Sequence, residues 1–239
     1  MATLILVRHG RSTANTAGVL AGRSSGVSLD DTGRTQAEAA ARRLAGVTLA
    51  RIVSSPLERC RHTAKAIASA QPERPAVRTE RGITECDYGE WTGRAIAELS
   101  REKVWKVVQE QPSAATFPGG ESLQAMMARA VATVRRIDAE VTADHGQDAV
   151  WLAASHGDVI KSILADAFGM HLDLFQRINV DPSSLSIIRY TQTRPQVLAT
   201  NTHEGDLAWL ARPKKKGRSR KRAAPPRDDA VVGGGSGPE

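Results

Sequence analysis

Three apolar runs in this chain stop in the same kind of place. Thr3–Val7 leads into Arg8-His9-Gly10, Ala50–Val53 into Ser54-Ser55-Pro56, and Ala149–Ala154 into Ser155-His156-Gly157. Each run reads as a strand and each is followed by a loop or a helix. The helical patterns fall between them, at about Asp31–Leu44, Leu57–Ala70, Ile96–Gln109 and Leu123–Ala143, with another helix after Gly157. Strands alternating with helices predict an α/β fold, a parallel or mostly parallel sheet covered by helices. In such sheets the carboxyl ends of the strands are where binding sites gather, so the reactive residues at the three run ends are expected to converge. Two later runs, Ser184–Tyr190 and Gln196–Thr200, read as further strands, and Pro118-Gly119-Gly120 reads as a turn.

Composition narrows the class. With 41% hydrophobic and 25% charged residues among 239, the chain is neither a disordered sequence nor a membrane protein, and its longest apolar runs fall far short of the roughly 20 residues of a spanning helix. One domain, residues 1–211, is expected. The net charge of +7 suggests nucleic-acid binding until it is located: residues 212–239 hold nine of the 33 Lys and Arg and three of the 26 Asp and Glu, so six of the seven charges lie there. That segment, with Lys214–Arg222 followed by Pro225-Pro226 and a glycine-rich end, reads as a disordered basic tail. It offers salt-dependent contact with nucleic acid, an acidic protein or a membrane surface, or serves only as a solubilising extension. Met1 leads directly into a strand without a basic leader, which predicts a cytoplasmic protein, and Cys60 and Cys86 read as reduced thiols.

The chemistry is carried by four segments. At the first strand end, Arg8 and Gly10 flank His9, placing an imidazole beside a guanidinium where a glycine lets a ligand approach. A neutral imidazole can attack phosphorus, splitting one difficult displacement into two easier ones, and phosphoryl transfer needs positive charge held ready around the phosphoryl oxygens. In Ser54-Ser55-Pro56-Leu57-Glu58-Arg59, Arg59 falls in the first turn of a helix, where the dipole favours acids and a bound anion would compensate. Of the neighbouring Arg61 and His62, one is expected to be exposed and one supporting. The loop Ile83–Gly93 holds Glu85, Asp87 and Glu90, any of which could protonate a leaving alkoxide. Ser155-His156-Gly157-Asp158 brings a second imidazole, which adds charge around phosphate when protonated. No two histidines have a familiar ligand spacing, so metal catalysis ranks below phosphohistidine chemistry.

Taken in order, these segments resemble the histidine phosphatase superfamily, the phosphoglycerate-mutase-like enzymes. Leu6-Val7-Arg8-His9-Gly10 with Ser12 and Asn15 is similar to the family's opening signature, Leu29–Ala37 to the opening of its first helix, Ser54–Arg59 to its phosphate-binding segment, Glu85 with Tyr88-Gly89 and Trp91-Thr92-Gly93 to its acid loop, and Ser155-His156-Gly157 to its second histidine. The resemblance implies a three-layer α/β/α sandwich, mostly parallel with one antiparallel strand. It implies His9, Glu85 and His156 as catalytic residues, with Glu85 the proton donor, and Arg8, Asn15, Gly22 and Arg59 as substrate-binding residues. No metal or cofactor is implied, and the partner is a small phosphorylated substrate, handled by a monomer or homodimer. Arg11 stands where mutases of the family carry Glu, and no long insertion separates Trp91 from Pro118. A more open pocket, admitting water to a phosphohistidine, follows from that. Net phosphomonoester hydrolysis, broad or acid-phosphatase-like, is therefore the expected activity. A phosphomutase and a non-catalytic phosphate-binding module are the alternatives.

Overall fold

The computed structural model describes residues 1–210. Six strands, β1 (Thr3–Arg8), β2 (Leu49–Ser54), β3 (Val77–Thr79), β4 (Val150–Ser155), β5 (Leu185–Arg189) and β6 (Gln196–Thr202), form one sheet in the order β3-β2-β4-β1-β5-β6. The pairs β2–β3, β2–β4 and β1–β4 are parallel, whereas β5 runs antiparallel to both β1 and β6. The sheet is thus mostly parallel with one reversed strand, as expected.

The three layers follow from the two-residue period of a strand, which sends successive side chains to opposite faces. Leu4 and Leu6 of β1 and Trp151 and Ala153 of β4 join one buried cluster; Ile5, Val7, Leu152 and Ala154 join another. Helices α2 (Asp31–Leu44) and α3 (Glu58–Ser69) close the second cluster with Ala41, Leu44, Ala64 and Ile67. On the other face, α6 (Leu123–His145) and α7 (Gly157–Phe168) close the first with Met126, Ala130, Val134, Ile160 and Ile163. Because both faces of β1 and β4 are covered, these strands are apolar without interruption until the site begins. A buried carboxylate ties the layers: Asp138 of α6 accepts hydrogen bonds from the Trp151 indole at 2.9 Å and the Ala2 amide at 3.3 Å.

Several expectations need correction. The helical pattern Ile96–Gln109 is two helices, α4 (Ile96–Leu99) and α5 (Lys103–Glu110). The Ser100 hydroxyl bonds back to the Ala97 carbonyl at 2.9 Å and Glu102 pairs with Arg94 at 2.8 Å, which favours a break at this point over a continuous helix. The four-residue α1 (Thr13–Thr16) and the short edge strand β3 are additional elements, too brief to leave a periodic pattern. Arg61 and His62 are both exposed, so neither supports the site. Trp91 and Phe117 are core residues, and Trp105 stacks on Trp91 with ring centroids 6.1 Å apart. Among the described residues no helix is long and apolar enough to cross a membrane. The basic segment 212–239 lies outside the described residues.

Candidate functional site

Parallel pairing of β1, β2 and β4 in register brings their carboxyl ends side by side, with Arg8 opposite Ser155 and Ser54 opposite Ala154. The residues that follow these ends meet over the sheet. The His9 and His156 rings lie 5.3 Å apart at 64°, and the Arg59 guanidinium reaches between them, with Nε 3.2 Å from His9 Nε2 and Nη2 3.2 Å from His156 Nδ1. Glu85 Oε2 lies 3.7 Å from the same Nδ1. His9, Arg59, Glu85 and His156 are all buried, and Arg8 is half-buried.

The hydrogen bonds fix both imidazoles. A guanidinium can only donate, so the nitrogens facing Arg59 carry lone pairs. His9 therefore holds its proton on Nδ1, which donates to the Gly10 carbonyl at 2.7 Å, and His156 holds its proton on Nε2, which donates to the Ser55 hydroxyl at 2.8 Å. Burial, followed by the positive charge of Arg59 and Arg8, pushes the His9 pKa well below its usual range, so the ring is neutral and its Nε2 lone pair free to react. His156 is lowered too, by burial first and then Arg59. It is therefore neutral in the resting protein; standing positive charge comes from the two arginines.

Glu85 has the opposite bias. Burial, and then the nearby Asp158 carboxylate, raises its pKa to about 7 against the pull of Arg59. The three acids of its loop are now distinguishable: Asp87 is spent on the Gly89 amide and Arg23, Glu90 is exposed, and only Glu85 faces the imidazoles. The backbone carbonyl of Glu85 accepts from Arg23 Nε at 2.9 Å and from Arg129 Nη2 at 3.1 Å. Glu121 of the glycine turn joins Arg23, Arg129 and the Asp87 amide, so the acid loop is clamped to α6. The sequence carried no signal for this clamp, because surface arginines are indistinguishable from structural ones until the loop is folded.

The other expected residues separate. Arg8 Nη1 donates to the Val180 carbonyl at 2.7 Å, while Arg8 Nε and Arg59 Nη1 are buried donors with no acceptor among the described residues. Gly22, at φ 49°, offers its carbonyl to Arg59 Nη2 at 2.8 Å. A Cβ there would sit 2.7 Å from the Thr92 hydroxyl, so the position takes glycine and orients Arg59. Asn15 is not brought to the cluster: it is exposed, and its Oδ1 accepts from the Ser12 amide and hydroxyl. Gly10 also meets a packing demand: a Cβ on it would meet the Gly33 carbonyl oxygen at 2.3 Å, so α2 makes a close approach there.

A neutral imidazole, a buried carboxyl that keeps its proton up to about pH 7 and two guanidiniums with unsatisfied donors form an arrangement suited to phosphoryl transfer. Among the described residues no group of three or more His, Cys, Asp and Glu side chains is placed to hold a metal ion.

Comparison with known proteins agrees with that chemistry. The model of the histidine phosphatase superfamily, branch 1, matches residues 4–203. Phosphoserine phosphatase 1 of Hydrogenobacter thermophilus is 31% identical over 203 residues, covering 84% of this chain and 92% of the relative. A bifunctional protein of Mycobacterium tuberculosis is 31% identical over 189 residues, and there the matched region spans 78% of this chain but only 50% of the relative. The crystal structure of the α-ribazole phosphatase from Shigella flexneri superposes with a TM-score of 0.73 at 26% identity, covering 84% of this chain and 96% of that one. The chain belongs to branch 1 of the histidine phosphatase superfamily.

Proposed function

We propose that this chain is a metal-independent phosphomonoester hydrolase that acts on a small phosphorylated metabolite through a phosphohistidine at His9. The observation that carries this reading is the hydrogen-bond pattern of His9. The Gly10 carbonyl holds the Nδ1 proton and Arg59 Nε faces Nε2, so the lone pair needed for attack lies beside a guanidinium whose Nη1 is a buried donor with no acceptor among the described residues.

In the first step Nε2 attacks phosphorus while Arg8 and Arg59 turn their donors to the phosphoryl oxygens. The bond from phosphorus to the ester oxygen breaks, and Glu85 gives its proton to the departing alkoxide. In the second step the Glu85 carboxylate takes a proton from water, the hydroxide attacks phosphorus, and the P–N bond breaks to release inorganic phosphate and neutral His9. His156 takes up positive charge only when the phosphate dianion is present to share it. Gly22 acts by fixing Arg59.

The test is phosphate release in excess chelator from a panel of monoesters: an aryl phosphate, both monophosphoglycerates, and the esters indicated by the names of two relatives, phosphoserine and α-ribazole phosphate. Wild type is expected to release phosphate and H9A is not, and quenched wild type is expected to carry an acid-labile phosphoryl group on His9. Equal release by H9A, or activity lost to the chelator, refutes the proposal. Transfer of phosphate between hydroxyls of a phosphoglycerate without net release assigns a mutase instead.

A further inference from the structure

We propose that Ser55 is a positioning residue whose hydroxyl fixes His156 in the tautomer that turns its Nδ1 lone pair toward the phosphate site. The proposal deepens the phosphatase reading and rests on it for its kinetic consequences, but not for its structural content.

Ser55 is fully buried, and its place does not depend on His156. Its amide donates to the Ala154 carbonyl at 2.9 Å, and its own carbonyl accepts from the Ser54 hydroxyl at 2.8 Å. From that anchored backbone the hydroxyl reaches His156 Nε2 at 2.8 Å. The opposite nitrogen faces Arg59 Nη2 at 3.2 Å and Glu85 Oε2 at 3.7 Å. Arg59 donates, so Nδ1 accepts, and the single proton of the neutral ring sits on Nε2, with Ser55 as its acceptor.

Cys60 is the other neighbour of Nε2, its sulfur 3.4 Å away. Burial raises its thiol pKa to about 12, so it stays a neutral and weak acceptor. It does not replace the hydroxyl.

The consequence for chemistry lies at Nδ1. A monoanionic phosphate can donate its proton to that lone pair, and once transferred the proton is returned as a charge-assisted hydrogen bond to the phosphoryl oxygen. No atom is gained or lost in this exchange. Throughout, Ser55 accepts from Nε2–H, so it supports the imidazole and the imidazolium alike. Without it the ring can place its proton on Nδ1, which removes the acceptor from the pocket and sets two donors, Nδ1–H and Arg59, against each other.

Ser55 also touches the Leu57 amide, at 3.4 Å, ahead of α3, so the test must separate action through His156 from support of the helix. In S55A we expect kcat to fall about 10- to 100-fold with little change in KM, as for other partners that orient a functional imidazole. S55T, which keeps the hydroxyl, is expected to restore most of it. On an H156Q background S55A is expected to cost less than about twofold, because the group it acts on is gone. Long-range nitrogen NMR of the resting protein reads the tautomer without turnover: Nε2-protonated His156 in wild type, and a tautomer mixture in S55A. Nδ1-protonated His156 in wild type, an unchanged tautomer in S55A, or equal losses on the two backgrounds overturns the proposal. Should wild type hydrolyse no ester, the phosphatase reading fails while the spectra still decide the role of Ser55.

Discussion

Glu85 offers the sharpest quantitative test. Moving a carboxyl from 4.5 to about 7 disfavours its ionised form by about 3 kcal/mol. At pH 7 half of such carboxyls carry the proton, against about one in 300 for an ordinary glutamic acid, a gain of about 150-fold in usable acid. At saturating concentration of an alkyl monoester, kcat should therefore hold up to about pH 7 and then fall about tenfold per pH unit. E85Q cannot donate a proton and should lose about 100- to 10,000-fold on this alkyl ester. On p-nitrophenyl phosphate, whose leaving group needs little protonation, the loss should be far smaller. Folding stability supplies an independent readout. A carboxyl raised in the folded state stabilises the protein fully below its ordinary pKa, and that contribution disappears as pH rises from 4.5 through about 7. Wild type should thus weaken by about 3 kcal/mol across that window relative to E85Q, which should show a flatter profile in urea melts. Equal losses on both esters, or an alkaline limb near pH 7 that survives in E85Q, would refute Glu85 as the acid.

Other perturbations test the frame around the site. G33A places a Cβ 1.9 Å from the Arg11 carbonyl oxygen, forcing apart two backbones, and should lower Tm by about 5–10 °C, at a cost of about 2–3 kcal/mol. D138A strands the buried Trp151 indole and Ala2 amide and should cost about 2–4 kcal/mol in urea unfolding, with D138N losing less. R129A releases the Glu85 carbonyl from α6 and should lower kcat about tenfold with KM nearly constant, since the acid rather than the phosphate ligands loses its place. Deleting residues 213–239 should leave turnover of small esters unchanged, while any polyanion binding that disappears with it should have been salt-dependent.

The fold was legible where sequence and tertiary demand coincide. Runs such as Thr3–Val7 and Ala149–Ala154 are apolar because both faces of β1 and β4 are covered, and the same burial that marks them as strands makes them central. Elements held by a few specific bonds were not legible. The break at Ser100–Glu102 depends on a hydroxyl bonding back to Ala97 and on the Arg94–Glu102 pair, neither of which alters the periodicity around it. The three residues of β3 pair with β2 alone, at the edge of the sheet, and leave no pattern to read.

The site divides along a similar line. Residue types that must react or bind charge were visible, because an imidazole or guanidinium at a strand end is chemically conspicuous. What converts those types into states was hidden. The sequence offered His156 as a ring that adds charge once protonated; burial together with Arg59 leaves it neutral at rest, and burial followed by Arg59 and Arg8 does the same to His9. Arg59 thus links three properties that no spacing rule relates: it holds a buried donor without an acceptor among the described residues, it lowers the basicity of both rings, and it selects their tautomers. Replacing it by lysine keeps the charge but supplies one point of contact where the site uses a fork. R59K should therefore lose more in kcat than one phosphate hydrogen bond is worth, and its His9 and His156 nitrogen spectra should show relaxed tautomer preference. An R59K enzyme with wild-type spectra and only a raised KM would mean that Arg59 binds substrate and does nothing more.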